Sequence, residues 1–144
     1  MSIEENKTVA RRVYEEVLNQ GNLAAVDELF APNTVDHNPL PGQLPGFEGA
    51  KQGFAVLRTG FPDIHFTIED QIAADDKVVT RWTMRGTHNG VFMGVPPTGR
   101  KVTVMGIAIF RVVDGRIVDR WRAADDLGRM QQIGAVPTMG QAGK

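Results

Sequence analysis

The sequence predicts an α+β fold in which helices come first and an antiparallel sheet follows. Before Phe61, apolar residues recur at the spacing of an amphipathic helix. From Ile64 to Ala124 the period changes to two, and Asp114-Gly115 is a strong hairpin signal. Runs of helices followed by runs of strands are typical of α+β domains. We therefore predict one domain over residues 1–134 and a poorly ordered tail over residues 135–144.

The composition excludes several classes of protein. The chain has 144 residues and is 42% hydrophobic, which suits a single core. Its net charge is −1 and it has no basic stripe, so we expect no nucleic-acid partner. Cysteine is absent, which removes disulfides and thiolate nucleophiles. The longest apolar run, Val104 to Phe110, is too short to span a bilayer, and the polar start is unlike a secretory signal. We expect a small soluble cytoplasmic protein with no membrane partner.

The first two helices are predicted from their ends. Ser2 and Glu5 have the spacing of a capping box, and apolar residues at helical spacing extend the first helix over 3–19. Asn22 is a reasonable cap for a second helix. Pro32 stops that helix, because the residue before a proline avoids the helical region.

A short strand and a long loop come next. In the predicted strand Thr34 to His37, Val35 and His37 share one face, so both point inward if either does. The following segment, NPLPGQLPGFEG, has the composition of a loop, and loops of this length are usually lids or binding loops. A third helix is predicted over Ala50 to Arg58.

The second half alternates as strands do. A strand begins at Ile64, a second runs from Val78 to His88, and a third from Lys101 to Val113. The third is apolar on both faces, so it is central or forms an interface. The last strand, Arg116 to Ala124, leads directly into a short helix over Leu127 to Ile133.

Two carboxylates lie where this last strand becomes a helix. Ile117, Trp121 and Asp125 have one parity, which predicts that they share one face. A helix needs only one side-chain cap. Capping therefore accounts for one of Asp125 and Asp126 and leaves the role of the other unexplained. The functional interpretation makes Asp125 a general base whose pKa is raised by burial in an apolar cavity. The alternative is that Asp125 caps the helix while Asp126 is solvated.

Four segments of the sequence carry a resemblance to a known family. They are VDHNPLPGQLPGFEGAKQGF, FPDIHFTIEDQIAADDKVVTRW, RGTHNGVFMGVPPTGRKV and DGRIVDRWRAADDLGRMQQIG. In combination they resemble the SnoaL-like polyketide cyclases (ester cyclases), of the superfamily that includes nuclear transport factor and ketosteroid isomerase. The resemblance implies a cone-shaped α+β barrel, with six antiparallel strands curved around an apolar pocket and closed by N-terminal helices. It also implies a homodimer through the outer sheet face.

The same resemblance implies an activity. The characterised cyclases close a ring of an aromatic polyketide ester by an intramolecular aldol reaction, with one aspartate as acid/base and no metal or organic cofactor. On this sequence that aspartate matches Asp125, and His37 matches a histidine near the pocket mouth.

The remaining candidates each have a functional and a structural interpretation. His37 polarises a substrate carbonyl or orients Asp125, or else it bonds to a backbone carbonyl. His88 reaches the same cavity, or is a turn histidine. The apolar candidates either contact a hydrophobic substrate or pack the core; they are Trp82, Trp121, Phe54, Phe92 and Met105.

Two other patterns lack the features of a site. Four arginines are expected on the outer surface or at a dimer interface rather than in an anion site; they are Arg81, Arg85, Arg120 and Arg122. The three histidines are too widely spaced for a metal centre.

Three functions fit these observations. The first is a cofactor-independent cyclase or isomerase acting on a hydrophobic carbonyl compound. The second is a protein that binds a small molecule in the same apolar pocket without changing it. The third is a hydrolase or hydroxylase that activates water on the same scaffold.

Overall fold

The computed structural model describes residues 2–138 and confirms the α+β class. The helices are α1 (Ile3–Arg12), which continues as a π-helical segment (Val13–Asn19), a 3₁₀ turn (Leu23–Ala25), α2 (Val26–Leu29), α3 (Gly46–Gly60) and α4 (Asp126–Gln132). The strands are β1 (Phe30–Asp36), β2 (His65–Ala74), β3 (Lys77–Thr87), β4 (Lys101–Val113) and β5 (Arg116–Ala124). None of the helices in the described range is long and apolar enough to cross a membrane.

The sheet is curved and open, with the strand order β1-β5-β4-β3-β2. The strands β2 to β5 pair antiparallel, whereas β1 runs parallel to β5. The expected six antiparallel strands are thus corrected to five within residues 2–138, and one of the pairings is parallel. The intervening segments 37–45 and 88–100 are rich in proline and glycine, which do not sustain a strand ladder.

Strong local signals located most of these elements correctly. The strands β4 and β5 have the predicted bounds, and β4 is the central strand. The Asp114-Gly115 turn has positive φ at both residues, as a two-residue hairpin requires. The Ser2 hydroxyl accepts a hydrogen bond from the Glu5 amide at 3.0 Å, which is one half of the predicted capping box.

Other bounds differ from the prediction. The first helix covers the predicted range, but its second part is π-helical and buries Val13, Tyr14, Val17 and Leu18. The Asn22 side chain makes no capping hydrogen bond. The strand β1 begins at Phe30, and α3 begins at Gly46. Ala135 donates its amide to the Met130 carbonyl at 2.9 Å, and residues 139–144 of the predicted tail lie outside the described range.

A β-bulge in β5 changes which residues of that strand share a face. Asp119 is paired with Arg111 and Ile117 with Val112, so Val118 is an extra residue in β5. The alternation of inward and outward side chains along β5 is therefore reversed beyond Val118. Ile117 points into the core, whereas residues of the same parity beyond the bulge point outward.

The concave face of the sheet forms the core together with the helices. On β3 the alternate residues Val78, Thr80, Trp82 and Met84 are buried, and so is His88 just after the strand. Trp82 lies over Gly106 of β4, where an added Cβ would come within 2.3 Å of the indole ring. A side chain at position 106 therefore cannot coexist with Trp82 in its present rotamer.

We expect Gly106→Ala to lower the free energy of unfolding by about 1–3 kcal/mol, because an overfilled core forces side chains from their preferred rotamers. The measurement is chemical denaturation followed by circular dichroism. Gly53→Ala in α3 is the matched control, since its Cβ would meet only Gln43 at ordinary contact distance. That control should retain or gain stability, because alanine favours helix. Equal stability of Gly106→Ala and the unchanged protein would contradict this packing.

Candidate ligand cavity

A cavity of about 360 Å³ lies between the concave face of the sheet, α3 and α4. Its wall is mainly apolar, and it is closed on one side by the proline-rich loop, which contributes Asn38, Leu40 and Gln43. The loop is thus part of the cavity wall, and its role in binding stays a prediction. The apolar lining comes from several elements and includes Phe30, Phe54, Leu57, Phe92 and Met130. These side chains form a site that suits a hydrophobic small molecule.

Three charged side chains form a cluster in the cavity wall, which we call the arginine–aspartate cluster: Arg122, Asp126 and Arg129. Both Asp126 oxygens accept hydrogen bonds from Arg122, at 2.6 and 3.1 Å, and Oδ1 also accepts one from Arg129 Nη1 at 2.7 Å. Arg129 is only 3% exposed, whereas the Asp126 side chain is 54% exposed. One carboxylate is therefore shared by two guanidiniums.

The pKa values in this cluster follow from burial and charge. Burial acts to raise the pKa of Asp126, but the hydrogen bonds and charges of Arg122 and Arg129 outweigh it and hold that pKa below the ordinary aspartate value. Burial also lowers the pKa of the Arg129 guanidinium, against the opposing effect of Asp126. Asp126 is thus a carboxylate that is ionised at neutral pH.

A second ion pair lies across the cavity wall. Asp36 of β1 accepts a hydrogen bond from Arg120 Nη1 at 2.7 Å and another from Gln43 Nε2 at 3.1 Å. The Arg120 guanidinium also lies 5.9 Å from the centre of the Phe54 ring. Since Arg120 has its own carboxylate, this pair is electrically neutral.

Unpartnered polar atoms are concentrated in the cavity wall. Within residues 2–138, five buried side-chain polar atoms have no hydrogen-bond partner. Three of them belong to residues that line the cavity: Thr34 Oγ1, Arg120 Nε and Arg129 Nε. All three are able to donate a hydrogen bond, although almost none of their surface is accessible.

Asp125 lies outside the cavity lining, contrary to the expected inward position. Its Oδ1 accepts a hydrogen bond from the Gly128 amide at 2.8 Å, so Asp125 is the N-cap of α4. A Cβ at position 128 would come within 2.1 Å of the same carboxylate, which explains why glycine occupies that position. Of these two neighbouring aspartates, Asp126 is the one that lines the cavity.

His37 and Trp121 also lie on the opposite side from the one expected. Their rings stack with centres 4.5 Å apart on the outer face of the sheet. His37 Nε2 lies 2.9 Å from the Asp119 carboxylate, and neither ring lines the cavity. Val35 is exposed as well, so β1 turns Thr34 and Asp36 inward instead of Val35 and His37.

The other predicted contacts divide into two groups. Phe54 and Phe92 line the cavity and also belong to the buried core, so their contact with a substrate stays a prediction. His88 is fully buried beside Thr98, whose hydroxyl lies 3.0 Å from His88 Nδ1, and Trp82 packs in the core against Phe66. Met105 is 60% exposed on the outer face of β4. None of these three lines the cavity.

Several lining residues were not predicted as site residues. Arg120 and Arg122 were expected on the outer surface, and Thr34, Asp36, Asp126 and Arg129 were not chosen as ligand contacts. The bulge accounts for the two arginines, because their partners on β4, Phe110 and Ala108, are buried on the concave face. No pattern in the sequence marks Val118 as the extra residue.

Comparison with known proteins establishes the family. Residues 8–133 match the family model described as SnoaL-like polyketide cyclase, so the chain belongs to that family. It is 30% identical over 108 residues to aklanonic acid methyl ester cyclase DnrD from Streptomyces peucetius, covering 74% of this chain and 72% of that one.

Solved structures show the same fold. TsrD from Streptomyces laurentii has a TM-score of 0.86 and 26% identity, over 94% of this chain and 99% of that chain. IdmH from Streptomyces antibioticus has a TM-score of 0.77 and 36% identity, over 90% of this chain and 98% of that chain.

We expect Asp126→Asn to lower the free energy of unfolding by about 1–2 kcal/mol at neutral pH, because buried Arg129 loses its charged partner while the half-exposed pair is partly screened by water. The pKa of Asp126 is lowered in the folded state, so its contribution is present above about pH 4 and is lost as the pH falls through that lowered pKa.

The difference in free energy of unfolding between Asp126→Asn and the unchanged protein should therefore shrink in acid. The measurement is urea denaturation across this pH range. Asp125→Asn is the matched control: asparagine caps a helix as well as aspartate does, so its stability should change by a few tenths of a kcal/mol at most. A difference that does not vary with pH would show that Asp126 is not held by the two arginines.

Proposed function

We propose that the protein is a cofactor-independent cyclase that closes a ring in a hydrophobic carbonyl compound bound in the cavity. The observation that carries this proposal is the placement of one ionised carboxylate, Asp126, between two guanidiniums in a largely apolar wall. Family membership supports the class of reaction. The similar DnrD is named as a cyclase of aklanonic acid methyl ester, and a second relative as a cyclase of nogalonic acid methyl ester.

In the proposed reaction Asp126 removes a proton from a carbon next to a carbonyl. The resulting enolate attacks a second carbonyl of the same molecule, and that oxygen takes up a proton as the ring closes. The apolar walls hold both ends of the substrate together, which removes much of the entropic barrier to ring closure. No atoms are gained or lost overall, so the product is an isomer of the substrate.

The low pKa of Asp126 is compatible with this role. A carboxylate between two guanidiniums is a weaker base than a buried, isolated one. The same guanidiniums, however, stabilise the negative charge that develops on the substrate oxygen. Arg122 and Arg129 therefore assist the proton transfer because they stabilise the enolate that it forms.

The roles expected for Asp125 and His37 remain predictions, with less geometric support. Asp125 is engaged with the Gly128 amide, and His37 lies on the outer face. We propose that Asp125 acts indirectly, because it fixes the first turn of α4 and so positions Asp126. The cytoplasmic location also stays a prediction from the sequence.

We expect Asp126→Asn to lower the turnover of aklanonic acid methyl ester by about a hundredfold or more, since general-base catalysis typically contributes that much. Asp125→Asn should keep most of the activity, because asparagine retains the cap. The measurement is chromatographic separation of substrate and its isomer, and a second arm uses water labelled with heavy oxygen.

Each outcome has a distinct meaning. If Asp125→Asn loses activity and Asp126→Asn does not, the assignment to Asp126 is wrong. Label found in the product would favour the water-activating alternative, and ligand recovered unchanged from every variant would favour a binding protein.

We further propose a homodimer through the outer face of the sheet. Support comes from exposed apolar side chains on that face, among them Met105 at 60% and Ile107 at 45% exposure on the central strand. Covering such a patch in a second copy removes apolar surface from water.

We expect Ile107→Glu to yield a monomer, because a charge on each copy at the middle of the interface would be buried without a partner. Light scattering after size-exclusion chromatography measures the mass. Val91→Glu is the control, since Val91 is an exposed apolar residue outside the strands. If the unchanged protein is already monomeric, or if both variants dissociate alike, this interface is not the one used.

A further inference from the structure

We propose that Met93 and Leu127 form an apolar mouth of the cavity and select extended, flat esters whose outer end they cover. This inference rests on the proposed function for the identity of the cavity as the substrate site. It adds two specificity-determining residues and a class of substrate: carbonyl compounds too long for the interior of the cavity to enclose completely.

Exposed apolar surface at the cavity is the first observation. Met93 is 53% exposed and Leu127 is 59% exposed, yet both line the cavity, so they lie at its opening. The Arg129 guanidinium lies 5.7 Å from the centre of the Phe92 ring, which joins the turn that carries Met93 to the helix that carries Leu127. A ligand that reaches the opening removes both apolar side chains from water, and that burial favours binding.

The backbone at Met93 is the second, independent observation. Phe92 and Val95 exchange two backbone hydrogen bonds, of 3.0 and 2.9 Å, around a two-residue turn made of Met93 and Gly94. Both turn residues have positive φ, 46° at Met93 and 81° at Gly94. Turns of this kind favour asparagine, aspartate or glycine at the first position, so a methionine there is strained.

The turn itself does not explain why this residue is a methionine. Within residues 2–138, the other non-glycine residues with positive φ are two aspartates in the turns between strands, Asp75 and Asp114. Burial in the core does not explain it either, because half of Met93 is exposed. Strained residues are typical of ligand-binding sites, where the side chain has a use that outweighs the cost of its backbone. The turn thus holds an apolar side chain at the mouth of the cavity.

The position of the proposed base is the third observation. Asp126 directly precedes Leu127, and its side chain is 54% exposed, so the carboxylate lies near the opening of the cavity. The substrate carbon that loses its proton must come within reach of that carboxylate. A substrate that also fills the apolar interior therefore extends to the opening, where Met93 and Leu127 are available to cover its outer end.

Two esters of different length test the proposal: methyl β-naphthoate, with two rings, and methyl anthraquinone-2-carboxylate, with three. Neither is able to cyclise, so equilibrium dialysis at neutral pH measures binding alone. We expect the three-ring ester to bind about fivefold more tightly or better, because it buries more apolar surface. Equal affinities, or no detectable binding of the longer ester, would overturn the proposal.

Met93→Asn is the decisive variant, because asparagine tolerates positive φ and removes the apolar side chain. We expect it to weaken binding of the three-ring ester about fivefold and to leave the two-ring ester within a factor of about two. It should also unfold at the same or a higher urea concentration than the unchanged protein, since the strain is relieved. Leu127→Gln should produce the same selective loss of binding, and glutamine suits a helix nearly as well as leucine does.

Val91→Asn is the matched control. Val91 is 55% exposed and precedes the same turn, but it does not line the cavity, so this variant should bind both esters as the unchanged protein does. A purely structural role of Met93 predicts that Met93→Asn lowers stability and weakens both esters alike, and that result rejects the proposal. Full affinity of either mouth variant for the three-ring ester, or an equal loss in Val91→Asn, rejects it as well.

The proposed cyclisation and this inference fail separately. Binding is measured without turnover, so selection by length can stand even if Asp126→Asn leaves turnover intact. Conversely, loss of turnover in Asp126→Asn together with unchanged binding in Met93→Asn would retain the cyclase and reject the apolar mouth as a determinant of specificity.

Discussion

The β-bulge at Val118 decides which side chains of β5 enter the cavity. One extra residue opposite Arg111 and Val112 lets Ile117 fill the core while Arg120 and Arg122, three and five positions later, face the same side. Without it, alternation would turn both guanidiniums toward the outer face and place Trp121 in the cavity. The Arg120–Asp36 pair in the cavity wall therefore depends on this one irregularity.

The shared carboxylate connects two elements that have no other polar link of this strength. Arg122 belongs to the sheet and Arg129 to α4, and Asp126 at the start of α4 holds both. Stability and the proposed chemistry consequently depend on the same atoms. Polar groups arranged for a ligand are rarely arranged for maximum stability, and the unpartnered Nε of Arg129 is an example of that conflict.

Local signals in the sequence were sufficient for the class of fold and for the central hairpin of β4 and β5. The Asp114-Gly115 turn fixes the register, and the two-sided apolar pattern of β4 identifies it as the central strand. Reasoning about Asp125 and Asp126 was correct that one caps the helix, but it could not determine which, because parity was counted through the bulge. The apolar character of Phe54 and Phe92 did not distinguish a cavity wall from the core, and in the structure both residues belong to both. The inward arginines were not predictable, since a charged residue in a strand is normally solvated and nothing local marks the extra residue.

The opposed positions of the two tryptophans have a practical consequence for spectroscopy. Trp82 is buried against Phe66 and Gly106, whereas Trp121 lies flat on the His37 imidazole at the outer face. An ionic quencher such as iodide will reach the second indole and not the first. The fluorescence of Trp82 therefore reports on the interior of the protein, and that of Trp121 reports on the outer face of the same sheet.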